Sequence, residues 1–373
     1  MSIKINIAAS NRFHLLDLAR ELSAKGYDVR FYSFVPTHRC KQFGIKIDDC
    51  RSFFWLVAPF FVISKIISKK YSSKLIDLRN RLMDWYLSHF MRKCDLFIGL
   101  GTVYVRAFVA AKRKWEATTI LEWGSKHIDE QVKNSGNIGF FSNENILRSR
   151  QGYTNADYIS IASTHVKNSF LKHSIPIGKL IINPYGVNLN NFHPTEYTGE
   201  YDIIMVGRWS RTKGCDFIVE LCRLYHYRFL HVGGFGDMEF PSDVEGMVHH
   251  NAVNELELEK FYAKAKIFLL PSRTEGLALV QAQAIACGLP IVCSPNTGGS
   301  DLNNLLEDKS WIFEFQSYTV DDINHAVKCA LDKSKNQTGL RNYAGDSIKN
   351  LSWSSYGERY VENLKLIDDR FNI

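Results

Sequence analysis

Short apolar runs alternate with longer amphipathic stretches along almost all of this 373-residue chain, and the pattern starts afresh near residue 200. "IKINIAA" predicts a strand, and "HLLDLARELSAKG" predicts an amphipathic helix stopped by Gly26. Further strands are expected at "YDVRFYSF", "DLFIGL", "TTILEW" and "YISIAS", then at "YDIIMVG", "RFLHVGG", "IFLLPS" and "LPIVCSP". Strands that alternate with helices imply parallel sheets with crossover helices. Between the two halves lies "NPYGVNLNNFHPTEYTGE", rich in Asn, Pro and Gly, which reads as a linker. At roughly 150 residues per domain the length also suits two domains. The expectation is two α/β domains with a cleft between them, ligands sitting outside the carboxyl ends of the strands.

Charge divides along the same line. Residues 1–190 carry 28 Lys/Arg against 14 Asp/Glu, a net +14, and residues 191–373 carry 18 against 25, a net −7, giving the overall +7. The two halves therefore suit different partners. The basic half holds one stretch that breaks the alternation, "SFFWLVAPFFVISKIISKKYSSK" (52–74). Its apolar part is interrupted by Pro59 and is short of the roughly 20 residues that a membrane span needs. Aromatic and aliphatic residues followed by Lys65, Lys69, Lys70 and Lys74 suit an interfacial helix on an anionic bilayer. A buried helix with a solvated tail is the other reading. Nucleic acid is not expected as a partner, because no zinc finger, RNP-like aromatic pattern or purely basic helix occurs. The eight Cys form no C-x-x-C and read as buried thiols of a reducing compartment. The start "MSIKINIAAS" reads as a first strand and not as a secretory signal, so a cytoplasmic location is expected.

The chemistry concentrates in the second half. A strand ends at Gly207, and Arg208 and Lys213 then bracket a loop before a helix near Asp216. Two cations at a strand's carboxyl end can neutralise a diphosphate, although alone they read equally as solvated loop residues. "IFLLPS" delivers Glu275 to the same edge of the sheet. Gly276 permits close backbone approach, and the helix that follows offers free N–H groups and a favourable dipole. Glu275 can accept hydrogen bonds from sugar hydroxyls, and Gln283, two turns on, can both donate and accept, as a ribose diol requires. Taken singly, Glu275 is a plain helix N-terminal carboxylate and Gln283 a surface amide.

Together "GRWSRTKG", "EGLALVQAQAIACGLPIV" and "NPYGVNLNNFHP" resemble the retaining GT-B glycosyltransferases of the glycosyl transferases group 1, or family four, type. "ADYISIAS", "VGGFGD" and "LSWSSYGERYVENL" support the resemblance, which covers 150–365 well and 1–150 loosely. It implies an α/β GT-B fold, two Rossmann-like domains facing each other across a cleft. An acceptor-binding domain would span 1–190 and a nucleotide-sugar-binding domain 191–352, with a closing helix in 353–373 packing back on the first. It implies that Arg208 and Lys213, after Gly207, hold the donor diphosphate. Glu275 would bind donor-sugar hydroxyls, and the backbone of Gly276, Leu277, Ala278 and Leu279 would meet sugar and phosphates. The family's E-x7-E pattern ends here in Gln283, not Glu, so the second carboxylate is not an indispensable acid or base. The resemblance also places a His in the cleft near the reacting centre. His127 of "ILEWGSKHIDEQ" is the candidate, with Asp129 and Glu130 as alternatives and a helix-start or core His as the plainer reading. The first-strand loop "AASNRFH" lacks the family's Gly.

The implied activity is sugar transfer with retention, from a UDP-sugar first and a GDP-sugar second, to a glycan or lipid-linked acceptor in bacterial-type surface polysaccharide or lipopolysaccharide synthesis. The enzyme would lie on the inner face of the cytoplasmic membrane. No D-x-D occurs, and no metal or cofactor is expected. The alternatives are a GT-B-fold epimerase, a phosphorylase, or a non-catalytic nucleotide-sugar-binding subunit.

Overall fold

A computed structural model of the chain describes residues 2–10, 13–42, 44–66, 69–134, 141–335 and 345–371. It divides into two units: Met1–Ile161 with Val166–Asn183 and Gly357–Ile373, and Ala162–His165 with Pro184–Tyr356.

The first unit is built on a seven-stranded sheet of β1 (Lys4–Ala9), β2 (Asp28–Ser33), β3 (Cys50–Ser52), β4 (Leu96–Leu100), β5 (Thr118–Trp123), β6 (Tyr158–Ile161) and β7 (Leu180–Ile182). Their order is β3-β2-β1-β4-β5-β6-β7. The second unit holds a six-stranded sheet of β8 (Tyr201–Val206), β9 (Phe229–Val232), β10 (Met247–His250), β11 (Ala265–Leu270), β12 (Ile291–Cys293) and β13 (Ile312–Glu314), ordered β10-β9-β8-β11-β12-β13. Every pairing is parallel. A parallel sheet carries helices on both faces, so its central strands are apolar throughout rather than alternating. Ile203–Val206 and Ile267–Leu270 are buried at every position, as that requires.

The strand order positions the site. In the second sheet the chain steps from β8 outward through β9 to β10, then returns to the other side of β8 as β11. The connections after β8 and β11 therefore part to opposite sides, and a crevice opens at the carboxyl ends of these two neighbours. The motifs around Arg208 and Glu275 lie on these two connections.

The stretch expected to be a linker is a packed part of the second unit. Tyr185, Val187 and Phe192 are buried, and the Val187 N–H donates to the Leu351 carbonyl at 2.7 Å. The reason is Gly186, where a Cβ would stand 2.7 Å from the Trp353 backbone, so only glycine allows the two segments to touch. The change of unit consequently falls after Asn183, not after residue 190. The closing helix, Trp353–Ile367, begins in the second unit, and from Gly357 onward its residues group with the first. There the Tyr360 hydroxyl donates to buried Glu122 at 2.8 Å. Residues 372–373 of the expected closing segment lie outside the described residues, as do residues 11–12 of the first-strand loop.

Within 52–74, a helix runs over Phe54–Ile66 with Pro59 inside it, and the next helix is Lys69–Phe90. Among the described residues, no helix is long and apolar enough to cross a membrane. Trp55 is 85% exposed and Leu56 and Ile63 are also exposed, whereas Val57 is buried and Phe53 packs on Tyr86 at 4.7 Å. Residues 67–68, and the side chains of Lys65, Lys69 and Lys70, lie outside what is described.

Gly214 has φ +76°, and a Cβ there would stand 2.1 Å from the Pro271 carbonyl oxygen. Left-handed backbone alone costs a non-glycine residue about 1–3 kcal/mol. Gly214→Ala is thus expected to lower the thermal unfolding midpoint measurably. Gly178→Ala, at a position with open space around it, should leave the midpoint in place, as differential scanning calorimetry would show.

Candidate functional site

The site grows from the two connections at the carboxyl ends of β8 and β11. After Val206 the Gly207 carbonyl accepts the Nε2–H of buried His231 at 2.8 Å. Gly233 packs so tightly there that a Cβ would stand 1.9 Å from the Gly207 oxygen. Arg208 follows, exposed and making no ion pair among the described residues. The buried Trp209 anchors the loop behind it. A single turn, Arg211–Lys213, is capped by the Ser210 hydroxyl, and Gly214 then starts the helix Cys215–Tyr225. This turn carries the Lys213 ammonium to the Glu275 carboxylate, to which it donates.

From the other side, β11 leads through Pro271 to buried Ser272, whose hydroxyl donates to Glu275 Oε1 at 2.7 Å. The two connections are stapled by backbone and side chains alike. The Arg273 N–H donates to the Thr212 carbonyl at 2.9 Å. Its guanidinium holds both oxygens of Asp216 at 2.7 Å and lies over the Phe217 ring at 4.3 Å. The hydrogen bond with Asp216 holds the Arg273 pKa above its ordinary value. The loop after β12 supplies the floor, since the Glu275 N–H donates to the Asn296 carbonyl at 2.9 Å and the Ala278 N–H to the Thr297 carbonyl at 3.2 Å.

The side chains of Leu277 and Ala278 are buried, so these residues offer a ligand their backbone. The N–H groups of Gly276 and Leu277 have no acceptor among the described residues. Leu279 opens the helix Leu279–Ala286, whose preceding residue, Ala278, supplies no side-chain cap. Uncapped first-turn amides need an external acceptor. A lysine, a partly buried carboxylate and unpaired amides thus converge at one switch point. The amides and Lys213 suit an anion, and Glu275 suits hydroxyl donors.

Two glutamines of that helix differ. Gln281, which carried no role in the sequence reading, is fully buried, and its amide donates to the Thr297 carbonyl at 2.8 Å. It locks the loop under Glu275. Gln283 is partly exposed and accepts the Tyr262 hydroxyl at 3.2 Å through Oε1. Its oxygen is engaged and its amide nitrogen is the end that can reach a ligand.

His127 belongs to the first unit, and the structure places it differently from a substrate-contacting histidine. It is 4% exposed, stacked on His173 at 4.2 Å with 9° between the planes, and flanked by Tyr153 and Phe170. Its N–H donates to the Ser169 hydroxyl at 2.9 Å. Burial first, and then the neighbouring His173, push its pKa down to about 4. His127, Asp129 and His173 are the one His/Asp group among the described residues with metal-like spacing. Parallel rings at 4.2 Å cannot both aim an in-plane lone pair at one ion about 2 Å away. Arg150 moreover holds Asp129 at 2.7 Å, so the group is a structural stack.

Comparison with known proteins bears on the fold. Residues 189–346 match the family model for glycosyl transferases group 1. An uncharacterized glycosyltransferase of Methanocaldococcus jannaschii is 25% identical over 172 residues, 42% of this chain and 47% of the relative. The chain thus spans about half the length of that relative. Among solved structures, the sucrose-phosphate synthase of Thermosynechococcus elongatus superposes over 98% of this chain and 99% of its own, with a TM-score of 0.69 and 14% identity. HepE of Anabaena, solved with UDP and glucose, covers 98% of this chain and all of its own, with a TM-score of 0.64 and 13% identity. The chain has the α/β fold of the GT-B glycosyltransferases.

The depressed His127 pKa has a measurable consequence. The unfolded chain, with its histidine at the ordinary 6.5, binds more protons than the folded one between pH 6.5 and about 4. His127 therefore contributes stability that is complete above pH 6.5 and is lost as the pH falls toward 4. Urea unfolding across this window should show a shallower loss of stability in His127→Gln than in the wild type.

Proposed function

We propose that the protein is a retaining glycosyltransferase that moves a sugar from a nucleotide diphosphate sugar to a glycan or lipid-linked acceptor. The observation that carries this reading is the convergence of Lys213, Glu275 and the unpaired Gly276 and Leu277 amides at the β8/β11 switch point. A sugar diphosphate offers what this arrangement lacks. Its phosphate oxygens suit Lys213, Arg208 and the amides of Gly276–Leu279, with Gly207 giving backbone room, and its sugar hydroxyls suit Glu275. Gln283 lies about one turn into the helix Leu279–Ala286 and is assigned to the ribose. The group 1 match over 189–346 supports a donor-binding role for the second unit, and the first unit is assigned the acceptor.

In the reaction, the acceptor hydroxyl attacks the anomeric carbon on the face from which the nucleotide departs. The carbon–oxygen bond to the diphosphate breaks, and a departing phosphate oxygen takes the acceptor's proton. Negative charge grows on the diphosphate in the transition state, where Arg208 and Lys213 stabilise it. These two cations and the adjacent amides supply the charge stabilisation that a metal would otherwise provide, so transfer is metal-independent in this reading. His127, with its ring enclosed, is assigned to holding the acceptor unit's loop rather than to contact with the sugar. The donor is assigned as a UDP-sugar, with a GDP-sugar second. HepE, a protein of similar fold solved with UDP and glucose, supports that order.

The acceptor is assigned to bacterial-type surface polysaccharide or lipopolysaccharide synthesis at the inner face of the cytoplasmic membrane. The net +14 of residues 1–190 and the exposed Trp55, Leu56 and Ile63 support a membrane-surface approach.

Lys213→Ala is expected to lower kcat by about 10²–10³-fold with the fold intact, the scale for removing one group that stabilises developing charge. Near-normal transfer would remove Lys213 from the diphosphate. In a thermal-shift panel of UDP-, GDP- and ADP-sugars, the true donor at about 100 times its Kd adds about 2.7 kcal/mol, and a panel with no shift contradicts the donor reading. Trp55→Asp with Leu56→Asp should release the protein from anionic vesicles. Unchanged cosedimentation would rule out this face as the anchor.

A further inference from the structure

Four residues, Ala162–His165, group with the second unit although the chain on either side of them belongs to the first. Asp301, 5% exposed, holds them there. Its two carboxylate oxygens accept the Thr164 N–H at 2.9 and 3.0 Å, and one of them accepts the Thr164 hydroxyl at 2.6 Å. With Thr164 fixed, its two neighbours reach the loop that carries Glu275. The fully buried Ser163 hydroxyl donates to the Gly276 carbonyl at 2.7 Å, and His165 Nε2–H donates to the Glu275 carbonyl at 2.9 Å.

These two bonds fix more than two oxygens. The chain has no cis peptide bonds among its described residues. In a trans peptide the C=O and the following N–H point in opposite directions within one plane. The Glu275 carbonyl shares its plane with the Gly276 N–H, and the Gly276 carbonyl shares its plane with the Leu277 N–H. Drawing both carbonyls toward Ser163 and His165 therefore turns both N–H groups away from them. Those are the two amides without an acceptor beside the Lys213–Glu275 pair.

We propose that Ser163 and His165 are positioning residues for donor binding, which set the peptide planes of Glu275–Gly276 and Gly276–Leu277 so that two amides meet the sugar diphosphate. The proposal rests on the donor reading of Lys213 and Glu275. Neither side chain touches the donor; each acts through a carbonyl. A peptide plane left unset can rotate and turn its amide away from the ligand, so the effect falls on donor binding and transition-state charge, not on the acceptor.

The test uses the full chain with UDP-glucose and GDP-mannose as probes, by calorimetric titration and by steady-state kinetics with whichever is turned over. Ser163→Ala and His165→Ala are each expected to lower kcat/KM for the donor by about 10-fold or more while the acceptor KM stays within twofold. His165→Gln, whose amide N–H can still donate, should recover most of the loss, which a purely structural role would not give. Ser163→Ala removes a single oxygen, so it keeps the test open should His165→Ala fold poorly. Lys213→Ala runs in parallel. If Lys213→Ala abolishes donor binding while Ser163→Ala and His165→Ala bind and turn over like the wild type, the positioning role is overturned and the donor reading stands. If the wild type binds neither probe, or Lys213→Ala binds as the wild type does, both fall together.

Discussion

Lys213 and Glu275 come from connections on neighbouring strands, and their ion pair is the point at which the second unit's sheet becomes a site. The Glu275 side chain is only 16% exposed, and a carboxylate so enclosed needs both a counter-charge and hydrogen bonds. Lys213 supplies the first and Ser272 the second. The surrounding construction serves that contact. Gly214 lets the Lys213 turn press against Pro271, Arg273 ties the Glu275 loop to Asp216 and Thr212, and Gln281 with Thr297 holds it from below. The result is a loop held on every side except at the amides of Gly276 and Leu277.

That arrangement is the reason the ligand proposed here is a sugar diphosphate and not either half of it alone. An anion alone would satisfy Lys213 and the amides but would face the Glu275 carboxylate. A neutral sugar alone would satisfy Glu275 but leave the cations without new partners. A ligand with hydroxyls at one end and phosphates at the other separates the two charges of the pair and satisfies both. Arg208, exposed and without an ion pair among the described residues, adds a cation that the folded chain does not itself use.

The sequence disclosed this fold unevenly, for a physical reason. The nine strands expected from apolar runs are all present and all lie inside the two sheets. The four that escaped notice, Cys50–Ser52, Leu180–Ile182, Met247–His250 and Ile312–Glu314, are the four outermost strands, three or four residues long. An edge strand is buried against one neighbour only, so its sequence needs no continuous apolar run. The site divides in a similar way. Arg208, Lys213, Glu275 and Gly276 follow strands directly, so their placement at the carboxyl edge was legible. Ser163 and His165 meet the same loop across 113 and 110 residues of chain, and no local pattern announces such a contact. His127 shows the opposite failure. A histidine soon after a strand and a glycine reads as a loop residue, but Tyr153 and Phe170 from later helices, and His173 in the turn after the second of them, enclose it.

The central claim is that the Lys213–Glu275 pair opens to admit a sugar diphosphate. A crystal structure of the protein soaked with a UDP-sugar tests it most directly. The account predicts phosphate oxygens within hydrogen-bond distance of Lys213 Nζ and of the Gly276 and Leu277 N–H groups, with Glu275 turned to a sugar hydroxyl. A nucleotide bound elsewhere, or bound here with the Lys213–Glu275 pair still closed, would contradict it.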